Sequence, residues 1–336
     1  MSGAVFATIT CLLLLGLATD PASSRPTQEH HPRLLVVNQK LNAVQIVDPI
    51  AGKTSKTIPT KGIRGHEAVV GPDGRFVFVP IYGDSGVGKP GTDGRSIEIL
   101  DLVEERFVGE IDLGRPARPH CVRLGSDGLL YVTAEIGQTV EVIDPMTKKI
   151  VGSIRTNQDE SHMLVLTKDG KRGYTSNVGA GSVTALDITA RKAVRVIQVA
   201  KVAQRISMSL DGKLVFTADQ QAPRLAVIDT TSNTVKEWIP LPSTGYGTAP
   251  TNDGRYLLVA LNTSEKVAVV DLTSMKVART IDVPAGPMEI VVEPNGRVAY
   301  VSCFSGGKVA AIDLHEWKVK KLIDTGEGAD GLAWLP

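Results

Sequence analysis

The chain of 336 residues contains no CxxCH, which excludes covalently attached c-type haem and with it the simplest electron-transfer reading. It has only three cysteines, too few for a disulfide scaffold. Two of them, Cys121 and Cys303, fall three repeats apart in the ring derived below, so both are expected to be free and buried. Net charge is +1 with no long run of one sign, so nothing calls for nucleic acid or an anionic membrane surface as partner. Aromatic residues make up 4% while 42% of residues are hydrophobic, so the core must be filled by Val, Ile, Leu and Ala, the filling of stacked β-sheets.

Long apolar runs are also missing. The longest, Ala4 to Ala18 with its tetraleucine Leu12–Leu15, is too short to span a bilayer comfortably and suits a signal-peptide core. Small and polar residues follow it, and cleavage fits after Thr19 or after Ala22 to Ser24, although no Lys or Arg precedes the core. Cys11 lies inside the core without a lipobox, which argues against a lipid anchor. The expectation is a signal peptide over 1–24, a linker over 25–32, a domain over 33–336, export to the periplasm or the medium, and no membrane span in the mature chain.

What the chain has in abundance is one repeated turn. Asp73-Gly74, Asp127-Gly128, Asp169-Gly170, Asp211-Gly212, Asp253-Gly254 and Asn295-Gly296 each separate two β-rich runs, at intervals of 54, 42, 42, 42 and 42 residues. A second series, Asp48, Asp101, Asp144, Asp187, Asp229, Asp271 and Asp313, closes an apolar run each time, at spacings of 53, 43, 43, 42, 42 and 42. Asp in that position starts a turn by bonding its own backbone two residues on. A period near 42 built of β-hairpins is that of a propeller blade, and seven aspartates count seven blades. The ordered chain begins at RLLVVN (Arg33 to Asn38), which reads as a second strand, and ends at GLAWLP (Gly331 to Pro336), which reads as a first strand. The fold class is therefore all-β, a seven-bladed β-propeller whose last blade is closed by the two chain ends.

In such a ring the innermost strand of each blade ends at the Asp-Gly turn. The residue eight before each turn glycine then lies near the other, upper end of that strand. This column reads His66, His120, His162, Gln204, Tyr246 and Met288, with Asp330 in seventh place, and so takes up three of the chain's six histidines on consecutive blades. Three imidazoles from neighbouring strands can hold a divalent metal, zinc for example, with an open position for an activated water. Glu67 and Glu160 flank the column as ligands, bases or orienting groups; Tyr246 completes a polar ring, and Arg205 is placed to hold a substrate carboxylate. The phase of the strand decides between this and an ordinary role. A continuous strand turns the column between blades, where the histidines would simply bridge them, whereas a strand starting one residue later frees it toward the axis.

Blade 1 carries a glycine-rich insertion, Tyr82 to Arg95, on the same upper face, as a flap over a pocket or as a tolerated surface loop. Its glycines lack phosphate-loop spacing. Asn38, Asn177, Asp219 and Cys303 share a column at the upper end of the second strand and fit turn-capping or core roles. Ser161 beside His162 makes no triad, because neighbours along a strand point to opposite faces.

The segments HCVRLGSDGLLYVTAEIGQTVEVIDP and GPMEIVVEPNGRVAYVSCFSGGKVAAIDL, each an apolar strand, Asp/Asn-Gly turn, tyrosine-bearing strand and Val/Ala-Ile-Asp ending, resemble the YVTN-type β-propeller repeats, with their lactonase-like and cytochrome d1-like seven-bladed relatives. The resemblance covers roughly 33–336 and implies the fold; for GHEAVVGPDGRFVFVPIYG it also implies lactone opening or related chemistry. The proline that such repeats carry just before the histidine position is kept at Pro119 and Pro287 only, so no catalytic set follows from it. Two functions stand. One is a site for a small-molecule ligand or metal at the upper axial face, with metal-assisted hydrolase or lyase activity and His66, His120 and His162 as ligands. The other is a protein-binding scaffold without catalysis.

Overall fold

A computed structural model describes Met1, Gly3 and residues 32–86 and 89–335. The expected signal peptide and most of the linker lie outside the described residues. Among those residues, 28 strands form seven four-stranded antiparallel sheets and no helix is long and apolar enough to cross a membrane.

The repeat dictates the sheets. Each Asp/Asn-Gly pair closes the hairpin between the first and second strands, with its glycine left-handed (φ between 67° and 78°), a conformation only glycine adopts at no cost. The aspartates of the second series close the hairpins between third and fourth strands. Asp48 Oδ1, for example, accepts from the amides of Ile50 (2.9 Å) and Ala51 (2.8 Å), and Asp271 repeats the pattern with Thr273 and Ser274. Their role is thus the turn-forming one.

Ring closure follows the expectation. Strand β1 (Arg33–Asn38) lies between β2 (Ala43–Asp48) and β28 (Ala329–Leu335), so the C-terminal strand is the innermost of blade 7 and three N-terminal strands complete it. Closure removes the free edge that a last blade would otherwise expose. Middle strands such as β14 (Ser182–Asp187) are almost wholly buried, whereas outer strands such as β15 (Lys192–Gln198) are mostly exposed, with Ile197 turned into the core. The core is Val, Ile, Leu and Ala layered between blades, with Cys121 and Cys303 free and buried in it.

The upper end of the inner strand is irregular, and this positions everything that follows. In blades 2, 3, 6 and 7 the ladder with the second strand shifts register at Pro119/Val122, Ser161/Met163, Pro287/Ile290 and Val36/Asn38. Blades 1 and 4 keep one isolated bridge, Gly65–Ile81 and Ala203–Asp219, before their inner strands resume at Val69 and Ser207. In every one of these blades the break falls beside the column eight residues before the turn glycine. A bulge lets two successive residues share one side of a strand; here the histidine column turns inward, and in blades 1, 4 and 6 the following residue, Glu67, Arg205 or Glu289, turns inward with it.

Candidate functional site at the upper axial face

Two stacked layers result. The lower is built on three residues seven before their turn glycines, Glu67, Arg205 and Glu289, joined by Asp330 from the histidine column. Arg205 of blade 4 is buried and donates through Nη1 to Glu67 of blade 1 and to Glu289 of blade 6 (2.6 Å), and through Nη2 to Asp330 of blade 7 (2.6 Å). Blades 1, 4 and 6 are not neighbours, so these bonds cross the axis and close it. Arg123 adds a second guanidinium 3.5 Å from Glu67. Burial alone would raise the Asp330 carboxyl, but Arg205, His66 and Gln39 hold it down at about 2. Glu289 is pushed upward, first by burial and then by Glu67.

The upper layer is the histidine trio. Ring centroids of His66 and His120 are 4.6 Å apart and those of His120 and His162 3.5 Å, the latter a tilted stack. Tyr82, the first residue of the blade 1 insertion, packs edge-on against His66 (4.8 Å) and His120 (5.4 Å). The base of the insertion is therefore part of the cluster. Farther along it Asp93 is bound by Arg118 at 3.0 Å and by Ser85 at 2.7 Å.

The hydrogen bonds define how each imidazole is used. His162 Nδ1 bonds Glu135, whose other oxygen accepts from the Tyr82 hydroxyl at 2.8 Å. His162 Nε2 faces the amide nitrogen of Gln204 at 3.1 Å. Both bonds are satisfied by one form, neutral imidazole with its proton on Nδ1. His66 Nδ1 lies 3.1 Å from Asp330 Oδ2 and 3.0 Å from the Gln39 amide, and the ionised Asp330 favours Nδ1–H there as well. That leaves His66 Nε2 as a bare acceptor, buried and without a partner among the described residues; His120 Nδ1 is buried and unpartnered among them as well. Burial, followed by the neighbouring His162 and His66, holds His120 well below the usual histidine range, so it is neutral at physiological pH.

The residues singled out from sequence thus separate into two groups. His66, His120 and His162 come together, with Gln204 and Asp330 beside them. The carboxylates expected to serve them go elsewhere: Glu67 is spent on Arg205, and Glu160 lies on the upper rim, bonded to Arg118 at 3.2 Å. Arg205, placed in the sequence reading to hold a substrate carboxylate, already carries three carboxylates of the protein. Tyr246 lies under that guanidinium, 5.3 Å from ring centroid to Cζ, and burial pushes its hydroxyl up to about 12. The carboxylate that does orient a histidine is Glu135. It stands seven residues after its turn glycine, in the same column as Asn177, Asp219 and Cys303, and reading that column across all blades would have exposed it. Glu135, Arg118, Asp159 and Glu160 also line a cavity of about 360 Å³ open on the upper rim.

The cluster meets the needs of a metal ion only in part. Asp330–His66 and Glu135–His162 are carboxylate–imidazole pairs of the kind that orient metal ligands, and His66 Nε2 and His120 Nδ1 are donors without a partner. His162 Nε2 is taken by Gln204, and among the described residues no three His, Cys, Asp or Glu side chains converge as a metal centre requires. Two donors fit a metal; the third would have to exchange Gln204 for it.

No protein-family model matches the chain, and no curated protein does. Solved structures do match, as seven-bladed propellers. Hydrazine synthase of Kuenenia stuttgartiensis superimposes with a TM-score of 0.73 at 20% identity, over 84% of this chain and 92% of that one. The dihydro-heme d1 dehydrogenase NirN, in complex with DHE, gives 0.66 at 14% identity over 94% and 78%. A functionally unknown protein from Desulfotomaculum acetoxidans DSM 771 gives 0.74 at 12% identity over 90% and 98%. At these identities the likeness is one of fold.

Proposed function

We propose that this is a YVTN-type propeller, exported by its N-terminal segment, which binds a small molecule or a divalent metal at the upper axial histidine cluster and acts there as a lactonase-like hydrolase or lyase. The observation that carries the reading is the pair of buried imidazole nitrogens, His66 Nε2 and His120 Nδ1, that no group among the described residues satisfies. Buried polar atoms in native proteins are nearly always bonded, to protein, ordered water or ligand, so two orphans side by side mark a place where a bound partner is accepted. His162 supports the chemistry. With Nδ1–H fixed by Glu135, its Nε2 is a base that becomes available when Gln204 moves aside. A metal seated on His66 and His120 would polarise a carbonyl or activate water.

Metal analysis of the mature exported protein against the His66→Ala/His120→Ala/His162→Ala variant, followed by a lactone-hydrolysis screen, tests this reading. About one equivalent of metal that disappears in the variant supports a metal-assisted site. Metal-free protein that still hydrolyses lactones through the histidines supports the direct acid–base form. Neither metal nor activity, with the variant as stable as the parent, refutes the reading.

A scaffold function is favoured by a different observation. At the tips of the hairpins between third and fourth strands, blades 7, 1 and 2 carry the exposed apolar residues Ile50, Val103 and Met146, where the equivalent position is Thr189, Thr231, Thr273 or His315 in the other four. Three apolar tips on consecutive blades suit a protein partner on the lower face. Polar replacement of all three, with loss of a co-purifying partner, would mark that surface as its docking site.

A further inference from the structure

The grooves between blades on the lower face are built from the same repeat positions, and one of them is left open. Between blades 3 and 4, Arg172 and Tyr174 stand two and four residues after their turn glycine and reach across to the neighbouring hairpin. Arg172 Nη1 donates to the Thr230 carbonyl at 2.8 Å, and the Tyr174 hydroxyl donates to Asn233 Oδ1 at 2.9 Å. The space left in that groove is about 390 Å³ and reaches no residue of the hairpin that carries Asn233. Between blades 5 and 6 the same four places are held by Tyr256, Leu258, Leu314 and Trp317. These four make no side-chain hydrogen bond to one another among the described residues; Tyr256 and Trp317 meet edge to face, with ring centroids 5.0 Å apart. The cavity there extends along the hairpin to Trp317 and measures about 650 Å³.

Trp317 is out of place on local grounds. The position four after the hairpin aspartate is left-handed in every blade, from Gly52 (φ 70°) to Trp317 (φ 55°). Asn, which blade 4 carries there, tolerates that conformation, whereas a bulky aromatic is poorly suited to it. Arg255 lies over Tyr256 at 5.0 Å and Arg279 over Trp317 at 5.2 Å, so a guanidinium holds each ring on one face. The aromatic pair is thus fixed at the outer end of the cleft. Neither the Tyr256 hydroxyl nor the Trp317 indole N–H has a hydrogen-bond partner among the described residues.

The rest of the lining narrows the ligand. Asn252 closes the inner end by donating to the carbonyls of Glu293 (3.1 Å) and Pro294 (2.9 Å). Arg297, whose guanidinium has no carboxylate partner among the described residues, lines the cleft together with His315, Asp253 and Asp313. Each aspartate spends Oδ1 on the amides of its own turn. Basic and acidic side chains of equal number leave no net field to draw a strongly charged ligand. A wholly apolar ligand would strand the polar groups. A neutral molecule that offers paired hydroxyls and an apolar C–H face meets both demands. Carboxylates accept from such hydroxyls, a guanidinium donates to them, and the C–H face packs on an aromatic ring. That is the chemistry of a sugar.

We propose that the cleft between blades 5 and 6 on the lower face is a carbohydrate site. It takes a neutral oligosaccharide, with one sugar ring against Tyr256 and Trp317 and hydroxyls bonded by Arg297, Asp253 and Asp313. The cavity is of ligand-site size and has room for more than one sugar ring. It lies on the opposite face from the histidine cluster and in a different sector from Ile50, Val103 and Met146. The inference therefore stands apart from both functions considered above.

The test is titration of the protein with cellotriose, maltotriose and triacetylchitotriose, followed through the indole N–H signals in 1H–15N spectra. The chain has three tryptophans, Trp238, Trp317 and Trp334, so two serve as internal references. The expected result is that at least one trisaccharide moves the Trp317 signal and leaves those of Trp238 and Trp334 in place. Its affinity, read by calorimetry, should fall about tenfold or more in Arg297→Ala and in Trp317→Asn. Trp317→Asn installs the residue that blade 4 already has at this position, and Arg297 is exposed, so both variants are expected to melt like the parent. No Trp317 shift with any of the three up to about 20 mM, equal shifts of all three indoles, or an affinity unchanged in both variants would overturn the inference. Tighter binding of the acidic trigalacturonate than of the neutral sugars would overturn it as well.

Discussion

His120 shows at the scale of a single side chain how burial sets chemistry. Its folded-state affinity for protons lies far below that of a histidine in water. Above about pH 6.5 both folded and unfolded chains carry it neutral; below, only the unfolded chain takes up the proton. Stability is therefore expected to fall as pH drops from about 7.5 to 5.5, and His120→Gln should flatten that part of the profile in thermal melts. Arg205 makes the opposite case, a charge that is buried because it is paired. Replacing it by Leu leaves Glu67, Glu289 and Asp330 facing one another, and a loss of about 3–5 kcal/mol in denaturant unfolding is expected. The histidine column was legible in the sequence because a fixed spacing from six turn glycines marks it. Glu135 was not, because its column mixes Ile81, Asn177, Asp219, Leu261 and Cys303, and its partner His162 comes from the next blade. The fate of Arg205 was illegible for the same reason: its three acids lie on blades 1, 6 and 7.

The element that decides the site is the broken upper end of the inner strand. Strand alternation taken alone would have turned the histidines between blades; the register shifts turn them inward. Each break frees backbone groups, and hydroxyls from second strands satisfy them. Thr133 Oγ1 donates to the His162 carbonyl at 2.7 Å and accepts from the Cys121 amide at 2.9 Å, while Ser302 Oγ donates to the Asp330 carbonyl at 2.6 Å. Thr133→Val keeps the shape but orphans two buried groups, so a loss of about 1–3 kcal/mol is expected, together with a change in the His162 imidazole signals. A distant Thr→Val on an outer strand should show neither. Close approach adds a second constraint. Gly331 donates to the His66 carbonyl at 3.0 Å, and a Cβ there would meet that oxygen at 2.2 Å. Gly331→Ala should therefore both destabilise the blade 7–blade 1 contact and disturb His66, in unfolding curves and imidazole spectra respectively. Sequence periodicity gives the positions of such strands but not their bulges, which depend on what the neighbouring blade supplies.

For the whole molecule, closure is the feature most fully readable from sequence, since both ends match parts of one repeat and the structure joins them. Deleting residues 329–336 would open blade 7 and expose the edge of β1, and the truncated chain is expected to aggregate on size-exclusion chromatography where the parent elutes as a folded species. The ring also explains why residues scattered over some 260 positions of chain, from His66 to Asp330, act as one cluster. The central claim is that this cluster binds a ligand through imidazole nitrogens left unpaired among the described residues. Long-range 1H–15N spectra of the histidine rings, recorded before and after addition of zinc and then of α-hydroxy-γ-butyrolactone, address it most directly. The account predicts Nδ1–H forms for His66 and His162 in the free protein, and a shift of His66 Nε2 and His120 Nδ1 with one of the two additions. Ring signals unchanged by both, with His66 carrying its proton on Nε2, would contradict it.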